Sequence, residues 1–413
     1  MAERGLVGTL LDVEVGAPAH GGFCIARHEG RVFFVRHALP GELVQIRVTE
    51  DRGSFCRADA VQIRSASADR VPAPCPHAGP GRCGGCDWQH ASGPAQRELK
   101  ARVVREQFTR LAGLDVSGLL TGVEELDGGL LGWRTRITYA VARDGRAGLH
   151  RHRSHEVERI DSCPLGAPGI GDSSALVGTW RGHTGVEAVR GDEPPVTLLG
   201  LKPGPGRQAR GRRPPDRVEV VDGPGRVRHT VGDREFEIDA AGFWQVHPAA
   251  ARTFAGALLQ ALKPAPGETV LDLYAGAGAL TAALAEAVGQ TGRVVGVESS
   301  RTAVADATAN LADLPQVQVR VGRVGAALLS ALDFGVDVVV LDPPRAGAGR
   351  ESMLALVALA PRAIAYVACD PAALARDVAA VREVGWRLSS LRAFDAFPMT
   401  HHVECVALLE PPE

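Results

Sequence analysis

The chain has 413 residues, 45% of them hydrophobic and 23% charged, with a formal net charge of −2. Its length suggests two or three domains, and its near-neutral balance does not advertise nucleic-acid binding, which would need positive charge concentrated on one face. MAERGLVGTL lacks a basic start followed by a sustained apolar stretch, and no run of about 18 apolar residues occurs; the expectation is a cytoplasmic protein without a membrane partner.

The first 64 residues alternate β-rich runs with glycine turns: LVGTLLDVEV, GGFCIARHEG, RVFFVRHAL, ELVQIRVTED and CRADAVQIR. Short strands at this spacing predict a small closed barrel over residues 1–64. Acidic and basic residues roughly balance there, so the pattern alone supports a β-barrel and names no ligand.

Residues 65–240 read as a small β-rich central domain. It opens on APCPHAGPGRCGGCDWQH, where Cys75, Cys83 and Cys86 crowd together, and a fourth cysteine, Cys163, lies in RIDSCPLG. The eight cysteines of a cytoplasmic chain are not expected in disulfides. Close thiols separated by Gly and Pro can wrap a tetrahedral metal or an iron–sulfur centre, with the distant fourth closing the site. Four cysteines alone leave zinc and iron–sulfur open. Cys24, Cys56 and Cys405 sit in apolar β-like runs and read as packing residues. Residues 93–114 predict a helix carrying Leu99, Val103, Val104, Phe108 and Leu111 near one face, expected to pack on the C-terminal domain. Strands within 132–165 carry many Arg and His, suiting either a phosphate-tracking platform or a solvated sheet face. KPGPGRQARGRRPPDR (202–217) holds five arginines and one acidic residue; its Gly and Pro content predicts a loop, for RNA contact or plain solvation.

From 241 onward the pattern becomes strand–turn–helix. ETVLDLYAGAGALTAALAEAV runs from an apolar strand through a glycine turn into an alanine-rich helix. Gly276 and Gly278 allow close backbone approach to a ligand, and the helix start aims its amides at it. The next strand, RVVGVESS, ends in Glu298, where such folds place an acceptor for ribose hydroxyls. A third glycine is missing, since Ala279 and Leu280 follow, which leans away from a dinucleotide and toward S-adenosylmethionine.

Three later strings belong together: LDPPR, AYVACDPAALARD and FPMTHHVE. They supply Asp342 at one strand end, Cys369 at another, and Glu404 after a His-His pair. A cysteine can add to an electron-poor ring carbon, and a carboxylate can then remove a proton from that ring. That combination points to methylation at a carbon of a pyrimidine. Each residue also has a plainer reading: Asp342 as a helix cap, Cys369 as a small buried hydrophobe, Glu404 as an exposed residue entering the last strand.

On GFWQVHP, DLYAGAG, LDPPR, ACDP and HHVE the chain resembles the RNA 5-methyluridine methyltransferases. The resemblance implies an α/β fold: a C-terminal doubly wound, Rossmann-like methyltransferase domain over 241–413, preceded by the central domain and an N-terminal oligonucleotide-binding-like TRAM barrel. It implies that Gln245, Tyr274, Gly276, Glu298 and Asp342 contact S-adenosylmethionine, with Cys369 as nucleophile and Glu404 as base in uridine carbon-5 methylation of ribosomal or transfer RNA. It further implies a [4Fe–4S] cluster on Cys75, Cys83, Cys86 and Cys163, with zinc as the alternative; seven residues separate Cys75 from Cys83 here, where the family commonly has five. No obligate protein partner is implied, and a monomer is expected. The chain departs from the family at Asp370, where asparagine is common, and at Ala279, also asparagine. Those departures are the grounds for a rival, an RNA-binding protein without catalysis. Cytosine carbon-5 methylation fits less well, because Asp342 precedes two prolines and not a Pro-Cys pair. Adenine methylation fits less well because Arg345 stands where an aromatic would.

Overall fold

The computed structural model of the chain describes residues 5–204 and 216–412. Strands β1 (Leu10–Ala19), β2 (Phe23–His28), β3 (Arg31–Arg36), β4 (Leu43–Asp51) and β5 (Phe55–Ser65) close a barrel in the order β1-β2-β3-β5-β4. The alternation seen in sequence sets its inside: Val13, Val15, Phe33, Val35, Val44, Ile46 and Val48 fill one buried cluster.

Helix α1 (Gly93–Ala112) starts at Ser92, whose side chain caps Ala95 N–H, and stops at Gly113 in the left-handed conformation. Strand β6 (Val123–Glu125) follows. The central sheet then takes β7 (Arg136–Val141), β8 (Ala147–His150), β9 (Val157–Glu158), β10 (Gly185–Val189), β11 (Thr197–Lys202) and β12 (Arg217–Asp222), in the order β12-β11-β10-β7-β8-β9. Residues 205–215 of the basic segment expected over 202–217 lie outside the described residues. A hairpin of β13 (Arg226–Val231) and β14 (Arg234–Asp239) leads into the C-terminal domain.

That domain contains α2 (Ala250–Leu262), β15 (Thr269–Leu273), α3 (Ala279–Val288), β16 (Arg293–Glu298), α4 (Arg301–Asn310), β17 (Val317–Val321), α5 (Ala326–Ser330) and β18 (Val338–Leu341). It continues with α6 (Arg350–Ala358), β19 (Ala363–Ala368), α7 (Pro371–Arg382), β20 (Arg387–Asp395) and β21 (Glu404–Glu410). The sheet order is β17-β16-β15-β18-β19-β21-β20-β6. β15 to β19 run parallel, and β21 is antiparallel to both β19 and β20. Strands covered on both faces need apolar residues throughout, and β19 shows why. Ile364, Tyr366 and Ala368 join one core with α1, α6 and α7, while Ala363, Ala365 and Val367 join another with α2 and α3.

The second helix layer therefore begins far upstream. Leu99, Val103, Val104 and Phe108 of α1 are buried, and the helix packs on α7. β6 extends the same sheet beside β20. Residues 93–125 thus build onto the C-terminal sheet, although the sequence sets them in the central stretch. Among the described residues no helix is long and apolar enough to cross a membrane.

Candidate active site

The order of the sheet reverses about β15, with β16 on one side and β18 on the other, and such switch points open a crevice at the strand carboxyl ends. β15 leaves the sheet through Tyr274, Gly276 and Gly278, all at positive φ: 64°, 56° and 94°. A left-handed tyrosine is strained backbone, held here by Tyr274 N–H donating to Val297 O at 2.8 Å. At Gly278 a Cβ would lie 2.7 Å from Leu311 Cδ1, so the turn is sealed against α4. Glu298, at the end of β16, accepts Gly276 N–H at 3.2 Å and Ser300 N–H at 2.7 Å. Tyr274, Gly276 and Glu298 are thereby brought together.

Gln245 lies in the half-buried loop between β14 and α2. Its neighbour Trp244 packs with Ala277 of the glycine turn, which draws the loop to that site. Phe243 is 70% exposed beside it, an apolar ring left facing solvent.

Asp342 follows β18 directly, and its N–H donates to Leu273 O at 3.3 Å. The loop after it is fastened by Asp377 of α7, which accepts from Ala348 N–H at 2.8 Å, Gly349 N–H at 3.1 Å and Tyr366 Oη at 2.7 Å. The cap reading of Asp342 is not needed, because the next helix, α6, begins only at Arg350 with Gly349 at its cap.

In the β19–β21 register Ala368 faces Cys405, so the next step out sets Cys369 opposite Glu404. Cys369 is half-buried, whereas Glu404 is 3% exposed, unlike the exposed residue its plainer reading describes. Burial pushes the Cys369 thiol up to about 12, with the Glu404 and Asp342 carboxylates adding and Arg345 opposing. Burial, then Asp342, hold Glu404 well above the usual carboxylate range, again against Arg345. Asp342 is raised to about 7 by burial and by Asp272. Asp272 thus acts on Asp342 and Asp342 on Glu404, so the carboxyls of the crevice are coupled, and Arg345 favours the ionised form of Glu404.

Sequence reasoning passed over several residues. Asp272, one position before the last residue of β15, is buried beneath the glycine turn and accepts from Thr281 Oγ1. An acid inside an apolar strand was its only signal. Arg345, a cation acting on both Cys369 and Glu404, stood in plain view after the prolines. Asp87, His401 and His20 are assembled only by the fold: His401 Nδ1 meets Asp87 Oδ2 at 2.6 Å, and His20 Nε2 meets Asp370 Oδ2 at 3.2 Å.

Four of the other seven cysteines are gathered elsewhere, in the central domain. Cys75, Cys83, Cys86 and Cys163 line one cavity of about 50 Å³, walled by Ile137, Leu149, Ile160 and Leu165. Burial raises the Cys83 thiol, with Cys163 and Cys75 adding, and raises Cys86 to about 12, with Cys163 and Cys83 adding. Gln89 Nε2 donates to Cys86 Sγ at 3.1 Å and Gly85 N–H to Cys83 Sγ at 3.4 Å. Among the described residues no group of three or more His, Cys, Asp or Glu side chains is arranged to hold a metal ion. The four thiols thus line a small, mostly apolar cavity, with hydrogen bonds to two of the sulfurs and without the arrangement of a single-ion site. A wide groove of about 660 Å³ between residues 141–145 and 180–184 contains none of these residues.

The family model for tRNA (uracil-5-)-methyltransferases matches residues 228–411, and that for the TRAM domain matches residues 4–61. An uncharacterized RNA methyltransferase of Streptomyces avermitilis is 48% identical, over 98% of this chain and 99% of its own. The 23S rRNA (uracil(1939)-C(5))-methyltransferase RlmD of Shewanella piezotolerans is 32% identical, over 97% of this chain and 95% of its own. In fold, the chain superimposes on the tRNA (uracil-54, C5)-methyltransferase of Pyrococcus abyssi in complex with S-adenosyl-L-homocysteine, with a TM-score of 0.69 and 22% identity, over 96% of this chain and 100% of that one. With a TRAM barrel before an α/β sheet, and near full-length relatives on both counts, the chain belongs to the uracil-5 RNA methyltransferase family and is an S-adenosylmethionine-dependent RNA methyltransferase.

Proposed function

We propose that this protein methylates carbon 5 of a uridine in ribosomal RNA, with Cys369 as nucleophile and Glu404 as base. The observation that supports this most directly is the register of β19 with β21, which brings a half-exposed thiol and a buried carboxyl to adjacent positions at the crevice. The raised thiol means that thiolate forms as the ring is engaged, its proton passing to water at the half-exposed cysteine, so that Glu404 stays ionised for the later step. Sulfur attack on carbon 6 moves the ring electrons to an enolate, making carbon 5 nucleophilic. S-adenosylmethionine supplies the methyl group that carbon 5 then takes up. Glu404, whose raised proton affinity suits a base, removes the carbon-5 proton, and elimination returns the cysteine. Gln245, Tyr274, Gly276, Glu298 and Asp342 would hold the cofactor in the crevice, and Phe243 offers a ring for stacking on a base.

Ribosomal RNA is favoured by the Shewanella relative, which is named for 23S rRNA and is similar over 97% of this chain. Transfer RNA is the second reading, favoured by the family model and by the Pyrococcus structure. The four clustered cysteines fit a [4Fe–4S] group better than zinc, because each thiol of a cluster binds a different iron and they need not converge on one ion. There it would tie the 75–86 loop to Cys163 in the central domain; zinc remains the alternative.

The test incubates anaerobically purified protein with labelled S-adenosylmethionine and separate pools of unmodified ribosomal and transfer RNA, then identifies labelled nucleosides by mass spectrometry. Label in 5-methyluridine from ribosomal RNA is expected. Label from the transfer pool alone moves the substrate, label in another nucleoside overturns the mechanism, and bound cofactor with no label favours an RNA-binding protein without catalysis.

A further inference from the structure

Cys369 is held in a segment of only two residues between β19, ending at Ala368, and α7, beginning at Pro371. Strand pairing fixes one side of it. The other side depends on Asp370, the cap of α7, whose Oδ1 accepts Ala373 N–H at 2.8 Å. The second oxygen of that carboxylate is not left to solvent. Asp370 Oδ2 lies 3.2 Å from Nε2 of His20, a residue of the N-terminal barrel, with the two side chains 23% and 38% exposed. Against the cost of its burial, the Asp370 carboxyl is held below its ordinary range by His20 and the backbone amides of Ala373 and Ala372.

His20 begins the turn between β1 and β2, followed by Gly21 and Gly22 at φ 93° and 81°. The turn fits closely on the far side too: a Cβ on Gly22 would lie 2.7 Å from Asp87 Cγ. Asp87 accepts from Arg36 of the barrel at 3.2 Å and from His401 N–H at 3.1 Å. The His20 ring meets the His401 ring edge-on at 6.3 Å. One barrel turn therefore bears on both sides of the site: through Asp370 on the cysteine, and through Asp87 and His401 on the loop that leads to Glu404.

From this contact we infer that His20 is a positioning residue for methyl transfer: by holding Asp370 it sets the segment that presents Cys369, so the barrel completes the active site in addition to meeting RNA. The inference rests on the nucleophile role proposed above. A carboxylate with one oxygen capping the helix and the other released can pivot about its cap bond, carrying the cysteine with it. Displacements of an ångström cost such a group on the order of a hundredfold in rate, so a partial loss is expected from one lost contact.

The experiment compares wild type, His20→Ala, His20→Gln, Asp370→Asn and the His20→Ala/Asp370→Asn double variant in full-length protein. Asparagine keeps the Oδ1 cap. Two readouts are taken: single-turnover methylation at saturating RNA and S-adenosylmethionine, and the alkylation rate of Cys369 in free protein, followed by peptide mass spectrometry. His20→Ala is expected to slow methylation by about tenfold with RNA affinity within about twofold, and to raise Cys369 alkylation severalfold. His20→Gln, whose amide nitrogen reaches a similar place, restores most of both. Adding His20→Ala to Asp370→Asn changes the rate by less than adding it to wild type, because asparagine has already replaced the charged contact with at most a neutral amide–imidazole one. Additive effects, or weakened RNA affinity with an unchanged saturated rate, overturn the inference and make His20 an RNA contact; no effect of His20→Ala on either readout overturns it outright. A wild-type protein that methylates no uridine overturns the proposed function, while the alkylation readout still judges the His20–Asp370 contact.

Discussion

Cys369 and Glu404 differ in what their surroundings do to them, and that difference can be tested. Cys369→Ser keeps the shape of the site but loses the nucleophile, so turnover should vanish while S-adenosylmethionine affinity, measured by calorimetry, stays within a few fold. Glu404→Gln keeps the hydrogen-bonding outline but cannot take the carbon-5 proton, so a protein–RNA adduct stable to denaturing electrophoresis should accumulate. Asp272 gives a prediction about pH. Burial lifts it to about 7, with Glu298 adding and the Thr281 hydroxyl opposing. The folded state then binds this proton more tightly than the unfolded chain, so its contribution to stability is full below about pH 4 and lost as pH rises through 7. Asp272→Asn removes that loss. Its melting temperature relative to wild type should shift in the variant's favour between pH 5 and pH 8, and a gap that stays flat or moves the other way would show Asp272 ionised throughout.

At the scale of elements, the loop between β20 and β21 carries the site from below, and α1 holds that loop. Lys100 of α1 is fully buried, pairs with Asp395 at the end of β20, and donates to Phe397 O at 3.0 Å. Gln96 accepts Met399 N–H at 2.7 Å, and Asp87 and Trp88 N–H donate to Met399 O at 3.0 and 3.1 Å. Removing one member of a buried ion pair leaves an uncompensated charge and costs about 3–5 kcal/mol, whereas replacing both by apolar groups is often neutral. Lys100→Met should therefore lower unfolding stability in urea by about that amount. The Lys100→Met/Asp395→Leu double variant should recover most of it, and a double variant no better than the single would mean that the Phe397 contact carries the effect.

Across the whole molecule, three units of different origin in the sequence meet at one crevice. The barrel brings His20 and Arg36, the cysteine loop brings Asp87, and the C-terminal sheet brings Cys369 and Glu404. Asp87 adjoins Cys86, so the cysteine-lined cavity sits one residue from the network that supports the loop before Glu404. If a [4Fe–4S] group holds those thiols, anaerobically purified protein should be brown with broad visible absorbance and contain matching iron and sulfide. Cys83→Ser should lose the colour and also lose methylation. Colourless wild-type protein that binds zinc tightly would instead assign the site to zinc.

By itself the sequence determined the closed barrel, the parallel sheet, the glycine turn and the acids and cysteine at the strand ends. Those features are local: alternation, glycine at positive φ, and apolar runs ending in one polar residue are written in consecutive positions. It also placed α1 correctly as a helix with one apolar face. That face was also expected on the C-terminal domain; only the tertiary structure decided that it meets α7 there, that β6 joins the far edge of the C-terminal sheet, and that Glu404 is buried opposite Cys369. It alone joined His20 to Asp370, residues 350 positions apart in the chain. Such pairings arise from the register of strands and the docking of one unit on another, and neither leaves a periodic trace in the residues involved.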